Sequence, residues 1–282
     1  MDSYSSNEIM VDLHVHTTCS DGTDKPEEVV KLASLKGLSL ISITDHDTVS
    51  GLESAVNAGK VYGVEVIPGI EVTADTSMLP ASAEFHVLGY FINPDSPSIL
   101  ELVDFFSKSR EERNRILIER LGEEGFNITY DELEKVFGKN FGKPNIVTML
   151  VKKQMVSSRK KAFALLRRLK VKRRKLDYRE IFRLIKEAGG IPVLAHPYTL
   201  KLGCSRLYKF VSQLKREGLE GIEVIHSEHT PSMVVNFKEM AKELGLYTTG
   251  GSDYHGYNKP DIDIGMLKIK MKDLNFGVFA GV

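Results

Sequence analysis

The stretch Val11–Thr23, VDLHVHTTCSDGT, places two histidines one residue apart and an aspartate a few residues further on. On a strand, side chains at i and i+2 project from the same face, so His14 and His16 can reach one cation together. On a helix the same spacing would turn the rings to different faces. The preceding run IMVDL reads as a strand, and Asp21 falls just past its end. By itself the pair also fits two hydrogen-bonded core histidines, so the rest of the chain has to decide.

Working outward, short β-like runs alternate with amphipathic ones, the pattern of βα units around a mostly parallel sheet. The candidate strands are IMVDL, LSLISIT, VEVIPGIEVT, AEFHVLGYFI, IPVLA, GIEVI and LYTTGGS. Helices are expected over Pro26–Lys36, capped by Asp24, and over Glu53–Tyr62, stopped by Gly63. Later ones are expected over Tyr178–Ala188, Leu207–Glu217 and Ser232–Leu244. Seven strand candidates suggest a small, irregular barrel, whose strand ends converge on one mouth.

Polar residues gather at those ends. Asp45 and His46 follow one strand, Glu71 ends another, His86 lies in a third, His196 follows IPVLA, and Asp253 and His255 follow the last. Six of the eight histidines therefore lie on or just after candidate strands, more than chance placement would put there. Imidazole with carboxylate suits Zn²⁺, Mn²⁺ or Fe²⁺, and the absence of cysteine at these places argues against a closed structural zinc site. The donors are too many for one ion. Two or three ions bridged by a carboxylate use them better.

Bulk properties set the frame. A chain of 282 residues, 42% hydrophobic and 27% charged, is ordinary globular material. Formal net charge is +0, so any attraction for polyanions must be local. Two cysteines, Cys19 and Cys204, make no disulfide framework. The start MDSYSSNEIM lacks a basic segment leading into an apolar core, and no run is long enough to cross a bilayer. A soluble, cytoplasmic protein is expected, with no membrane and no obligate protein partner.

From about Ser98 to Leu176 the βα alternation gives way to helical signals. The expected organisation is a first barrel segment (1–97), a helical, substrate-binding insertion (98–176) and a second barrel segment (177–282). No acidic residue occurs between Glu134 and Asp177, while VKKQMVSSRKKAFALLRRLKVKRRK crowds Lys and Arg over Lys152–Lys175. A solvated helix face and a phosphate-meeting surface both fit such a run.

The set DLHVHTTCSDGT, TDHDTVSG, GIEVT, FHVLGY, AHP and GSDYHG, in that order from about Val11 to Gly265, resembles the PHP (polymerase and histidinol phosphatase) superfamily. It is similar in particular to stand-alone phosphoesterases acting on nucleoside 3′,5′-bisphosphates and short RNA 5′ ends. The resemblance implies an α/β fold, a distorted (β/α)7 barrel with a helical insertion, and a trinuclear metal centre. Carried over position by position, it assigns His14, His16, Glu71 and Asp253 to one ion. Glu71 bridges to a second ion held by His86 and His196, and Asp21, His46 and His255 hold a third. Manganese leads among the expected ions, with zinc and iron as alternatives.

The catalytic candidates are Glu71, Asp253 and His229, the last at a position where similar phosphoesterases tend to carry histidine. His229 is expected to touch the phosphate or to protonate the leaving oxygen, or else to be structural. His226 is read as structural, Asp12 as a support for ligating imidazoles, Asp47 equally as such a support or as the cap of the following turn, and Cys19 as a small filler. Substrate contacts are expected from Arg110 and Arg113, i and i+3 on one helical face that equally fits a solvated surface, and from Lys143, Asn145 and His229. Lys143 and Asn145 stand where the family's Gly-Arg-Pro-His segment has arginine and histidine, which leaves the substrate preference open. The expected substrate is a small nucleotide or short RNA. A histidinol-phosphatase-like activity and a non-catalytic nucleic-acid-binding module are the alternatives.

Overall fold

The computed structural model describes residues 9–138 and 141–276. Two compact units emerge: one takes the chain up to Val103 and again from Leu176, the other is Asp104–Lys175.

In the first unit, β1 (Met10–Val15), β2 (Leu40–Ile43) and β3 (Glu65–Thr73) run parallel, joined by α1 (Pro26–Leu35) and α2 (Leu52–Tyr62). No helix separates β3 from β4 (His86–Tyr90), so the chain turns straight back and β4 runs antiparallel. β5 (Ile191–Leu194) is antiparallel to β4. β6 (Gly221–His226) and β7 (Tyr247–Gly251) then restore the parallel order. The sequence led us to expect seven strands. Among the described residues the sheet has eight, in the order β7-β6-β5-β4-β3-β2-β1-β8, because β8 (Ile269–Lys270) adds a two-residue antiparallel pairing to β1. So short a segment carries no periodicity from which to read it.

α2 stops at Gly63 in the left-handed region (φ 69°), as its sequence indicated. The expected Asp24 cap of α1 is not made: the cap position is Lys25, and the Asp24 carboxylate instead accepts from the Tyr254 hydroxyl.

The sheet curls until its ends meet. Beyond β1 and β7, Asp253 N–H donates to His14 O (2.9 Å) and His16 N–H to Tyr254 O (2.9 Å). The approach is so close that a Cβ on Gly251 would lie 2.3 Å from the His14 nitrogen. Val11, Leu13, Leu40, Ile67, Leu88, Tyr90, Val193 and Ala195 pack together from five strands and the end of one of them, filling the interior. Glu71 lies two alternations beyond Ile67 on β3, and His86 lies one before Leu88 on β4, so both rise above that core on its face. β1 needs a further device, because Leu13 points into the core and yet His14 reaches the cluster above it. A register irregularity between Asp12 and Val15 supplies it.

In the second unit, α3 (Pro97–Glu123, belonging here from Asp104), α4 (Tyr130–Phe137), α5 (Lys143–Lys152) and α6 (Arg159–Arg168) bury Leu117, Leu121, Leu133, Phe141, Ile146, Leu150 and Leu166. Part of the basic run is neutralised locally: Lys153 pairs with Glu132 (2.7 Å) and Arg168 with Glu124. In the first unit, α7 (Tyr178–Glu187), α8 (Cys204–Arg216) and α9 (Pro231–Leu244) are the remaining α-helices among the described residues. No described helix is long and apolar enough to cross a membrane.

Candidate metal centre

Glu71 is the hub of the barrel's polar cluster. Its side chain is buried, and its two oxygens face different partners. Oε1 lies 2.9 Å from His86 Nδ1 and 2.8 Å from His196 Nε2. Oε2 lies 3.3 Å from His14 Nε2 and 3.2 Å from both His16 Nε2 and His46 Nδ1. His14 Nε2 and His16 Nε2 are 3.1 Å apart, and Asp253 Oδ1 is 3.6 and 3.3 Å from them. Ligands of one tetrahedral ion with bonds of about 2.1 Å stand about 3.4 Å from each other. The spacing around His14 and His16 therefore suits a shared cation.

A second gathering joins His16, Asp21, His46 and His255, whose ligand atoms lie within 4.8 Å of one another. The Asp21 loop is held by Asp45, which accepts from Thr17 N–H (2.8 Å), the Thr17 hydroxyl (2.7 Å) and the Ser20 hydroxyl. His255 Nε2 is 3.1 Å from Asp21 Oδ1, and its Nδ1 donates to Asp253 O (2.8 Å). Two residues of the cluster occupy positive φ just past strand ends, His196 at 25° and Asp253 at 60°. Such strain persists where the surroundings over-determine it, as at functional sites.

The donors fit divalent ions. His16 Nδ1 and His46 Nδ1 are buried without a hydrogen-bond partner, a condition costing about 1–3 kcal/mol each. Apart from these two atoms, the ring nitrogens and carboxylate oxygens gathered within 4.8 Å of one another are a donor set that divalent cations would complete. The charges agree. Burial works against protonation of His14 and His16, yet Glu223, Glu71 and Asp253 hold His14 well above the usual imidazole range. Asp253, Glu71 and Asp21 outweigh burial at His16 and hold it at about 10. At His46 burial prevails and pushes the ring down to about 4. Burial would raise Glu71 and Asp253, but the surrounding imidazoles keep both well below the usual carboxylate range.

All nine residues expected as ligands lie in this cluster. Three further participants escaped the sequence. Glu223 on β6, fully buried, accepts from His14 Nδ1 (3.0 Å) and from His196 N–H (2.7 Å), so that Nε2 is the nitrogen His14 turns toward the cluster. His226, read as structural, has Nε2 3.4 Å from Asp253 Oδ2 and groups with His14 and Glu223. Lys259 places its ammonium on Asp253 Oδ2. Alternation alone would put Glu223 and His226 on opposite faces of a strand; a register irregularity between Glu223 and Ile225 lies between them, and GIEVIH gives no sign of it.

Other expectations resolve differently. Asp12 accepts from Ser252 N–H and Gly265 N–H (both 2.8 Å), so it ties β1 to the chain after β7 and not to an imidazole. Asp47 accepts from Thr73 N–H (3.0 Å). His229 Nδ1 lies 3.0 Å from Val224 O, which can only accept, so the proton is on Nδ1. Burial pushes this ring to about 4. In that neutral tautomer Nε2 has no proton to give a leaving oxygen.

In the helical unit, Arg113 is buried and its Nε has no hydrogen-bond partner. Burial, then Arg173 and Arg110, lower it to about 10. Lys143 is lowered by burial and by Arg113 and Arg173, so these four cations share one neighbourhood. Arg173 was not anticipated. Asn145 Oδ1 accepts from Gly142 N–H (2.8 Å), closing the first turn of α5.

Comparison with known proteins agrees with this geometry. The PHP domain profile matches residues 12–175. The chain is 32% identical to the phosphoribosyl 1,2-cyclic phosphate 1,2-diphosphodiesterase of Eggerthella lenta, over 87% of this chain and 94% of that protein. It is 27% identical to the 5′-3′ exoribonuclease of Haemophilus influenzae, over 86% and 89% of the two chains. With the 3′,5′-nucleoside bisphosphate phosphatase of Chromobacterium violaceum it shares 26%, over 90% of each. Among solved structures, a protein of Bifidobacterium adolescentis assigned as a metal-dependent phosphoesterase superposes with a TM-score of 0.75 at 29% identity, over 91% of both chains.

Proposed function

The chain belongs to the PHP domain family, and from that premise we propose that it is a metal-dependent phosphoesterase acting on small nucleotides, nucleoside 3′,5′-bisphosphates and the 5′ ends of short RNA. The observation that carries this is the division of Glu71: one oxygen toward His86 and His196, the other toward His14, His16 and His46. A carboxylate so placed would hold cations on both sides.

We assign His14, His16, Glu71 and Asp253 to one ion, Glu71, His86 and His196 to a second, and Asp21, His46 and His255 to a third, with manganese the leading candidate and zinc or iron next. Bound there, such ions supply a Lewis acid for phosphoryl oxygens and a water of lowered pKa. The chain's own groups do the positioning. Glu223 fixes the His14 tautomer and steadies the His196 backbone, and the strained His196 and Asp253 backbones aim their side chains inward. His229, neutral at Nε2, can accept a hydrogen bond from a substrate hydroxyl or water. To Arg110, Arg113, Lys143 and Arg173 of the helical unit we assign the binding of an anionic group of the substrate class, in keeping with guanidinium's bidentate preference for phosphate. The two cysteines, both free, fit a cytoplasmic setting.

The test is product release by the manganese-supplied protein. The panel comprises adenosine 3′,5′-bisphosphate, a mononucleotide, a short 5′-phosphorylated RNA, histidinol phosphate and a ribose 1,2-cyclic phosphate. Turnover of the bisphosphate or RNA, abolished by chelation and restored by metal, is expected. Turnover of histidinol phosphate alone, or none with nucleic-acid binding that survives chelation, overturns the proposal.

A further inference from the structure

After β7 the chain passes through Asp253 and His255 into a short 3-10 turn, Gly256–Asn258, and arrives at Lys259. That turn is fastened to the loop carrying Asp21. Tyr257 N–H donates to the Thr23 hydroxyl (2.9 Å) and Asn258 Nδ2 to Asp21 O (2.6 Å). Gly256 is at φ 60°, with Thr23 packed where a Cβ would stand. Two segments of the cluster thus hold the turn between them, and Lys259 does not hang from a loose loop. Its ammonium reaches Asp253 Oδ2, while Asp253 Oδ1 faces His14 and His16. The lysine side chain is 36% exposed, so it is open to solvent at one end and touches the cluster at the other.

An ammonium has three N–H donors and no acceptor. One is engaged by Asp253, and among the described residues the other two have no partner. A lysine whose only task was to neutralise Asp253 would compete with the cations for that carboxylate. Directed instead at an incoming anion, the same ammonium meets negative charge beside the ions, where a fixed donor in a partly dry site has most effect. We propose that Lys259 is a phosphate-binding residue of this site: Asp253 Oδ2 holds the ammonium so that its remaining donors bind a non-bridging oxygen of the phosphoryl group. No proton or bond need move. The inference rests on the phosphoesterase reading above and adds a residue to it.

The experiment compares wild type, Lys259→Met and Lys259→Arg as full chains loaded with Mn²⁺. Metal content, binding of inorganic phosphate by titration calorimetry, and kcat and KM for adenosine 3′,5′-bisphosphate are measured. In Lys259→Met, Mn²⁺ content stays at the wild-type level, phosphate affinity falls by about tenfold or more, and kcat falls by about 100-fold. Lys259→Arg, which keeps the charge and the donors, recovers much of both. Unchanged phosphate affinity and kcat in Lys259→Met overturn the assignment. So does loss of Mn²⁺ from that variant, since the lysine would then merely support Asp253. A wild type inactive on the whole substrate panel sinks the phosphoesterase reading and this role with it, whereas an active wild type matched by Lys259→Met sinks this role alone.

Discussion

Glu71 has no simple substitute, because it offers two oxygens to two sets of imidazoles. Glu71→Gln keeps the volume but trades one acceptor oxygen for an amide and removes the negative charge that the surrounding rings stabilise. We expect a folded protein by circular dichroism whose phosphate release is reduced at least about 100-fold. Retained turnover with full metal content would contradict the bridging role. The imidazoles carry a second prediction. His14 and His16 are held above the usual range by neighbouring carboxylates, so near neutral pH they are protonated in the metal-free protein. A nitrogen that binds a cation must first lose its proton, so metal binding releases protons and apparent affinity rises with pH. Calorimetric titration with Mn²⁺ in two buffers of different ionisation enthalpy reads this directly; identical heats would refute it.

At the scale of elements, α3 and α5 bring Arg110, Arg113 and Lys143 into one neighbourhood with Arg173. Arg113, buried on α3, faces Arg110 and Arg173, and Lys143 opens α5 beside it. Like charges in a partly dry setting oppose folding, so the arrangement is understandable as a device for holding an anion. Arg113→Met preserves the apolar stem and removes one charge. The expected result is unchanged or slightly higher resistance to urea, with KM for adenosine 3′,5′-bisphosphate raised about tenfold and metal content unaltered. A large loss of stability with KM unchanged would make the residue structural.

For the whole molecule, closure between β1 and β7 decides whether the cluster exists at all. His14 lies on one closing strand and Asp253 just beyond the other, and Gly251 passes against His14 at a distance no side chain tolerates. Gly251→Ala must push these strands apart or fail to fold. We expect a loss of about 3 kcal/mol in urea denaturation, accompanied by weakened Mn²⁺ binding, because the same displacement separates His14 from Asp253. Wild-type stability and metal affinity in that variant would show that closure does not depend on this contact.

The sequence by itself determined the βα alternation, most helix ends and the identity of the polar strand ends, because these are local: i and i+2 share a strand face, glycine ends a helix at positive φ, and donors cluster where apolar runs stop. His14 and His16 were legible for that reason. Glu223, His226 and Lys259 were not, since nothing near them in sequence distinguishes a strand carboxylate beside a metal site from one facing solvent. Nor was the antiparallel course of β4, which depends on the lack of a crossover helix, or the irregularity in β1 that lets Leu13 enter the core and His14 the cluster. Tertiary structure alone decided which donors stand within a few ångströms of one another. Distances between residues as far apart as Glu71 and His196 (2.8 Å) are set by how the sheet curls and closes, which no single stretch of chain encodes.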